Sequence, residues 1–208
     1  MKRLAVLASG QGTNLAHIHN EIIRGTLASV ELSLVISNNS TSGAMEYARK
    51  HGIACEHLSL IRFGGDEHAF EEAFLNTLRS RSIDLIALAG YMKQVPKVII
   101  DAYEDRVVNV HPALLPLFGG PSMYGLRVHE AVLTQGCKVS GASVHLVTNN
   151  YDEGPIVMQR CCEVREDDTP ELLQQRVREI EYAIFPRAID LVARDKVRVS
   201  NGRALILN

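Results

Sequence analysis

The chain opens on a short apolar run, Arg3 to Ser9, followed by Gly10-Gln11-Gly12-Thr13-Asn14 and then by Leu15, Ile18, Ile22 and Ile23 at helical spacing. A strand, a glycine turn and a helix in that order commit the amino terminus to a βα unit. The same alternation continues. Val30 to Ile36 reads as a strand, and Ala44 to His51 as a helix stopped by Gly52. Ile53 to Leu58 is a short strand, and Asp66 caps a helix that carries Phe70, Ala73, Phe74 and Leu78 on one face. Ile83 to Ala89 is nearly continuous apolar sequence, the pattern of a strand covered on both sheet faces. The expected class is therefore α/β, with a doubly wound, mostly parallel sheet.

The carboxyl-terminal portion adds different elements. His129, Ala131, Val132 and Leu133 fit a helix, and Gly141 to Val147 and Ile156 to Val164 read as strands. Thr169-Pro170-Glu171 marks a helix start, with Thr at the cap and Pro at the first helical position. Leu172, Leu173, Val177, Ile180 and Ile184 form its expected buried stripe, and Pro186 is expected to kink or break it. Arg198 to Leu207 predicts a hairpin turning at Asn201-Gly202. With 208 residues and no linker or repeat, a single domain is expected, divided into halves 1–105 and 106–208. Hydrophobic residues at 46% and a net charge of -2 provide a core but no basic surface, which argues against a nucleic-acid partner. The apolar start is too short for a leader and no stretch approaches a membrane span, so a cytoplasmic protein without membrane contact is expected. Cys55, Cys137, Cys161 and Cys162 form no Cys-x-x-Cys pair. They are read as free buried thiols, with no metal.

The chemistry-bearing stretch is Val107-Val108-Asn109-Val110-His111-Pro112. Alternation along a strand puts Asn109 and His111 on one face, and Pro112 ends the ladder. A carboxamide and an imidazole at a strand's carboxyl end suit the stabilisation of an oxyanion, or are simply tied into a loop. The Gly10–Asn14 turn has two readings as well: a phosphate cradle or a bare βα turn. Dinucleotide binding fits poorly, because the third glycine is missing and Val30 to Ile36 ends in Ser37-Asn38-Asn39 without an acid. Leu117 to Gly125, rich in Gly and Pro, is either a lid or a surface connection.

Taken together, Ser9-Gly10-Gln11-Gly12-Thr13-Asn14-Leu15, Leu88-Ala89-Gly90-Tyr91-Met92, Asn109-Val110-His111-Pro112-Ala113-Leu114-Leu115-Pro116, Gly141-Ala142-Ser143-Val144-His145 and Asp152-Glu153-Gly154-Pro155-Ile156 resemble the folate-dependent formyltransferases. The opening motif and Glu181-Tyr182-Ala183-Ile184-Phe185-Pro186 resemble the branch of that family that acts in purine synthesis. The resemblance runs from end to end and implies a Rossmann-like formyltransferase fold. It also implies transfer of a formyl group from 10-formyltetrahydrofolate, as co-substrate, to the amine of 5-phosphoribosylglycinamide. Small-molecule substrates and a monomer or homodimer follow. Carried over position by position, Gly12, Thr13 and Asn14 match the phosphate loop and Glu181 the acid that binds the glycinamide amine. Met92, Lys93, Gln94 and Val95, with Thr148, Asn149, Asn150, Tyr151 and Asp152, match the loops that receive the folate, which also contacts Asn109. Asn109, His111 and Asp152 match the catalytic trio.

On that resemblance, Asn109 and a protonated His111 donate to the oxygen on which charge develops, and Asp152 takes the amine's proton. Asp152 is expected to raise the His111 pKa. A cis Leu115–Pro116 bond is a further expectation. Two departures touch the folate tail and the lid: Phe63-Gly64-Gly65-Asp66-Glu67-His68 stands where some members have an arginine, and Pro121 where many have a lysine. The rival readings are a formyl-folate hydrolase, which carries an added amino-terminal domain, and an inactive folate or nucleotide binder.

Overall fold

The computed structural model describes residues 1–207. By packing, the chain divides into two units, Met1–Val107 and a second beginning at Val108.

The first unit contains β1 (Lys2–Leu7), α1 (Thr13–Ile23), β2 (Val30–Ser37), α2 (Gly43–Lys50), β3 (Cys55–His57), α3 (Glu67–Ser80), β4 (Leu85–Leu88) and α4 (Lys97–Ala102). Its strands lie in the order β3-β2-β1-β4 and every pair is parallel. The four residues of β4 and the last four of β1 are all buried, as a sheet covered on both faces requires. The Asp66 cap is the one read from the sequence, and Ser42 adds a cap that the reading did not name. Asp66 accepts the Ala69 N–H at 3.0 Å to start α3, and Ser42 accepts the Met45 N–H at 3.3 Å to start α2. Strands β3 and β4 are shorter than expected, since Ile53 and Ile83 lie before them in the connections.

The second unit continues from β5 (Val107–His111) through α5 (Leu126–Thr134), β6 (Val139–Leu146), β7 (Ile156–Glu163), α6 (Pro170–Ala193) and a hairpin of β8 (Val197–Ser200) and β9 (Arg203–Ile206). Here the pairing is antiparallel, β5 with β6 and β6 with β7. The α/β class, the carboxyl-terminal helix and the hairpin are those expected. The hairpin turn uses positive φ at both Asn201 (50°) and Gly202 (71°), the geometry that two-residue turns need. Among the described residues no helix is long and apolar enough to cross a membrane.

Three expectations are corrected by the structure. Helix α6 does not break at Pro186 but runs on to Ala193, because the turns beyond it bury Ala188, Ile189, Val192 and Ala193. Each large aliphatic buried there contributes about 2 kcal/mol, enough to offset the lost backbone bond. The stripe of α6 is Leu173, Val177, Ile184 and Phe185. Leu172 is 45% exposed and Ile180 is half-buried, on neighbouring faces. The four thiols are free but none is buried. Cys161 lies opposite Gly141, which has no side chain to cover it, and is exposed.

His129 is a buried imidazole on α5, 1% exposed, whose Nδ1 has no hydrogen-bond partner. Burial, with the charges of Arg178 and His111, pushes its pKa down to about 4. The unfolded chain then takes up a proton near pH 6.5 that the folded chain refuses until about 4, so stability falls as pH falls through that window. Wild type is expected to lose about 3 kcal/mol more than His129→Phe between pH 6.5 and pH 4, read by urea unfolding at both values. Equal losses would contradict the assignment.

Candidate active site

The second unit gathers its polar residues by cross-strand register. Asn109 pairs with His145 and His111 with Ser143 in the β5/β6 ladder, so all four side chains stand on one face. The Asn109 Nδ2 amide donates to His145 Nε2 at 3.0 Å. His145 Nδ1–H donates to the Leu146 carbonyl at 2.9 Å, which leaves Nε2 bare to accept.

Asp152 comes to this face from the loop between β6 and β7. It holds a left-handed backbone conformation (φ 55°) that Asp tolerates better than most residues. Two residues on, the loop passes so close to β6 that a Cβ at position 154 would lie 1.7 Å from the Leu146 carbonyl oxygen; only glycine fits. The carboxylate is 3.5 Å from Asn109 Nδ2, from His111 Nδ1 and from His145 Nε2, and accepts the Gly120 N–H at 2.9 Å. Burial pushes the Asp152 carboxyl up, but His145, the charge of His111 and the Gly120 amide outweigh it and hold it below the usual carboxylate range.

His111 is 4% exposed. Its Nε2–H donates to the Phe118 carbonyl at 2.8 Å, so in the neutral ring Nδ1 is the bare nitrogen and faces Asp152. Asp152 pulls the His111 pKa upward, as expected, but the net shift is downward. Burial lowers it, and this outweighs the opposing pull of Asp152 and of the Phe118 carbonyl.

The Leu117–Gly125 segment has no regular structure and supplies both the Phe118 carbonyl and the Gly120 amide. It touches the polar cluster through its backbone. The Leu115–Pro116 bond before it is cis, as the resemblance implies.

In the first unit, Gly12 caps α1 in a left-handed conformation (φ 77°) and so offers no capping side chain, and no acid stands in the helix's first turn. A Cβ at Gly12 would lie 2.8 Å from the Ala44 Cα, so the turn is held against α2. Thr13 is exposed and Asn14 half-buried at this helix end, which is suited to an anion by its N–H groups and dipole. Ser9 ties the turn to the next loop: its Oγ accepts the Met92 N–H at 2.8 Å and donates to Asn38 Oδ1 at 2.5 Å. Met92, Lys93 and Gln94 are exposed, whereas Val95 is buried. In the second unit Thr148, Asn149 and Asn150 lie in the loop before Asp152. Tyr151 is 41% exposed and Glu181 is half-buried on α6. Among the described residues no group of three or more His, Cys, Asp or Glu is arranged to hold a metal ion.

Thus Asn109, His111 and Asp152 converge, and His145 joins them. No role for His145 follows from sequence spacing, because its link to Asn109 spans 36 residues; the Ser143/His145 alternation on an apolar strand is the signal that marks it. If Asp152 is the group that favours a proton on His111, Asp152→Asn should lower the His111 pKa further below 6.5. Nitrogen-15 NMR titration of the ring reads this directly, and a rise in the variant would contradict it.

A formyl transferase family profile matches residues 2–189. The chloroplastic phosphoribosylglycinamide formyltransferase of Arabidopsis thaliana is 34% identical over 208 residues, all of this chain and 71% of that protein. The crystal structure of glycinamide ribonucleotide transformylase 1 from Symbiobacterium toebii superposes with a TM-score of 0.92 at 36% identity, covering 100% of this chain and 95% of that one. A formyltetrahydrofolate deformylase from Pseudomonas syringae shares the fold at 24% identity, with a TM-score of 0.87 over 100% of this chain and 66% of its own. The chain belongs to the formyl transferase family and, within it, to the phosphoribosylglycinamide formyltransferases.

Proposed function

We propose that the chain transfers the formyl group of 10-formyltetrahydrofolate to the amine of 5-phosphoribosylglycinamide, giving formylglycinamide ribonucleotide and tetrahydrofolate in purine synthesis. The observation that carries this reading is the convergence of Asn109, His111 and Asp152 within hydrogen-bonding or ion-pairing reach in the second unit. Attack of the amine on the formyl carbon forms a C–N bond and places negative charge on the formyl oxygen. Asn109 Nδ2–H and the His111 Nε2–H donate to that oxygen, the latter exchanging the Phe118 carbonyl for it. As charge builds, the imidazole's affinity for a second proton rises; Nδ1 takes one from solvent, Asp152 beside it stabilises the cation, and the proton returns to solvent when the oxyanion collapses. The proton shed by the amine passes to Asp152, directly or through a water, and leaves with N10 of the folate as the second C–N bond breaks. His145 orients the Asn109 amide.

Gly12, Thr13 and Asn14 take the substrate's phosphate, and Glu181 its amino end. Met92 to Val95 and Thr148 to Asp152 receive the pterin, for the most part through backbone groups, so a buried Val95 is compatible with that role. Phosphate binding remote from the reacting carbon positions the amine. The four free thiols fit a reducing compartment, and we assign the cytoplasm, with a monomer or homodimer as the working form.

Purified protein given both substrates is expected to produce tetrahydrofolate at a rate that requires each of them. Folate turnover without the ribonucleotide would instead indicate a hydrolase. His111→Ala is expected to lower kcat by roughly 10²–10³-fold while ribonucleotide affinity, read by calorimetry, stays within about twofold. Equal losses in both would reassign the imidazole to substrate binding.

A further inference from the structure

We infer that Gln159 is a positioning residue for His111, acting with Ser143 on the backbone that carries the imidazole's acceptor; this rests on the catalytic reading of His111 given above. Gln159, Ser143 and His111 form one row across three strands, since Ser143 is the register partner of both. Ser143 is fully buried and its hydroxyl is saturated. It donates to the Ala113 carbonyl at 2.7 Å and accepts the Leu115 N–H at 3.0 Å and Gln159 Nε2 at 2.8 Å. The same Gln159 nitrogen donates to the Leu115 carbonyl at 3.0 Å. Both backbone groups of Leu115 and the carbonyl of Ala113 are therefore pinned by these two side chains.

The pinned stretch is the one that closes on the imidazole. The chain leaves His111 at Pro112, is held at Ala113 and Leu115, and returns at Phe118, whose carbonyl accepts His111 Nε2–H at 2.8 Å. Releasing Leu115 lets that carbonyl wander, and with it the ring's orientation and the choice of which nitrogen carries the proton. Gln159 itself lies on the exposed outer strand, so its replacement removes two hydrogen bonds without opening the core. It touches no reacting atom; its effect reaches catalysis through the loop.

The test uses the full chain with Gln159→Met, which keeps side-chain length and removes the N–H donors. Ser143→Ala and Ser143→Thr, which remove and retain the hydroxyl, accompany it. Nitrogen-15 NMR of the His111 ring in the unliganded protein reads the tautomer, and steady-state kinetics read kcat against KM for the ribonucleotide. Gln159→Met and Ser143→Ala are expected to move the ring from a single Nε2–H tautomer toward a mixture and to lower kcat by about tenfold, with KM within about twofold. Ser143→Thr is expected to keep the wild-type ring signal. Should Gln159→Met fail to fold by circular dichroism, Gln159→Glu, equally long and suited to an exposed edge, carries the same expectation. An unchanged His111 signal in the folded variant overturns the inference, whether kcat falls or not. If the wild type transfers no formyl group, the proposed activity fails while the ring measurement still decides the positioning role.

Discussion

One carboxylate organises the polar face of the second unit. Asp152 meets Asn109, His111 and His145 at 3.5 Å each and accepts a backbone N–H from Gly120 at 2.9 Å. Two strands and two loops are thereby tied to a single side chain. A half-buried carboxylate is costly unless its oxygens are occupied, and leaving one buried partner unsatisfied costs about 1–3 kcal/mol. That cost makes the arrangement specific. The Asn109 amide and the Gly120 N–H must arrive from separate elements for the charge to be tolerated, so the left-handed turn at Asp152 and the close pass at Gly154 are part of the site's construction.

On the proposed function, the same cluster holds its donors on internal acceptors that the formyl oxygen replaces. The Asn109 amide is engaged by His145 and Asp152, and His111 Nε2–H by the Phe118 carbonyl. A formyl oxygen that gains negative charge is a better acceptor than a neutral backbone carbonyl, because charge-assisted hydrogen bonds are roughly twice as strong. The exchange therefore favours the transition state over the ground state, the differential on which catalysis rests. Burial, which disfavours the imidazolium of His111, suits this scheme, since the ring gains affinity for a proton only as the oxyanion forms.

Much of this was legible in the residues. The glycine turn before α1, the Thr169-Pro170 helix start, the Asn201-Gly202 turn and the shared face of Asn109 and His111 all follow from local conformational preference. What was not legible depended on distant neighbours. The Asn109–His145 bond needs the β5/β6 register, which no spacing reveals. The net direction of the His111 pKa follows from how deeply β5 is covered, which no motif reveals; burial there outweighs the pull of Asp152. The helix crosses Pro186 because tertiary packing beyond it outweighs the local penalty, and Cys161 is exposed because the residue opposite is glycine.

On the proposed function, the Asp152 carboxylate serves the chemical step and not the capture of substrates. Single-turnover transfer from 10-formyltetrahydrofolate in Asp152→Asn, with both substrates saturating, isolates that step. The account predicts a rate lower than wild type by a factor on the order of 10² or more, with dissociation constants for both substrates close to unchanged. A single-turnover rate near that of wild type would contradict it.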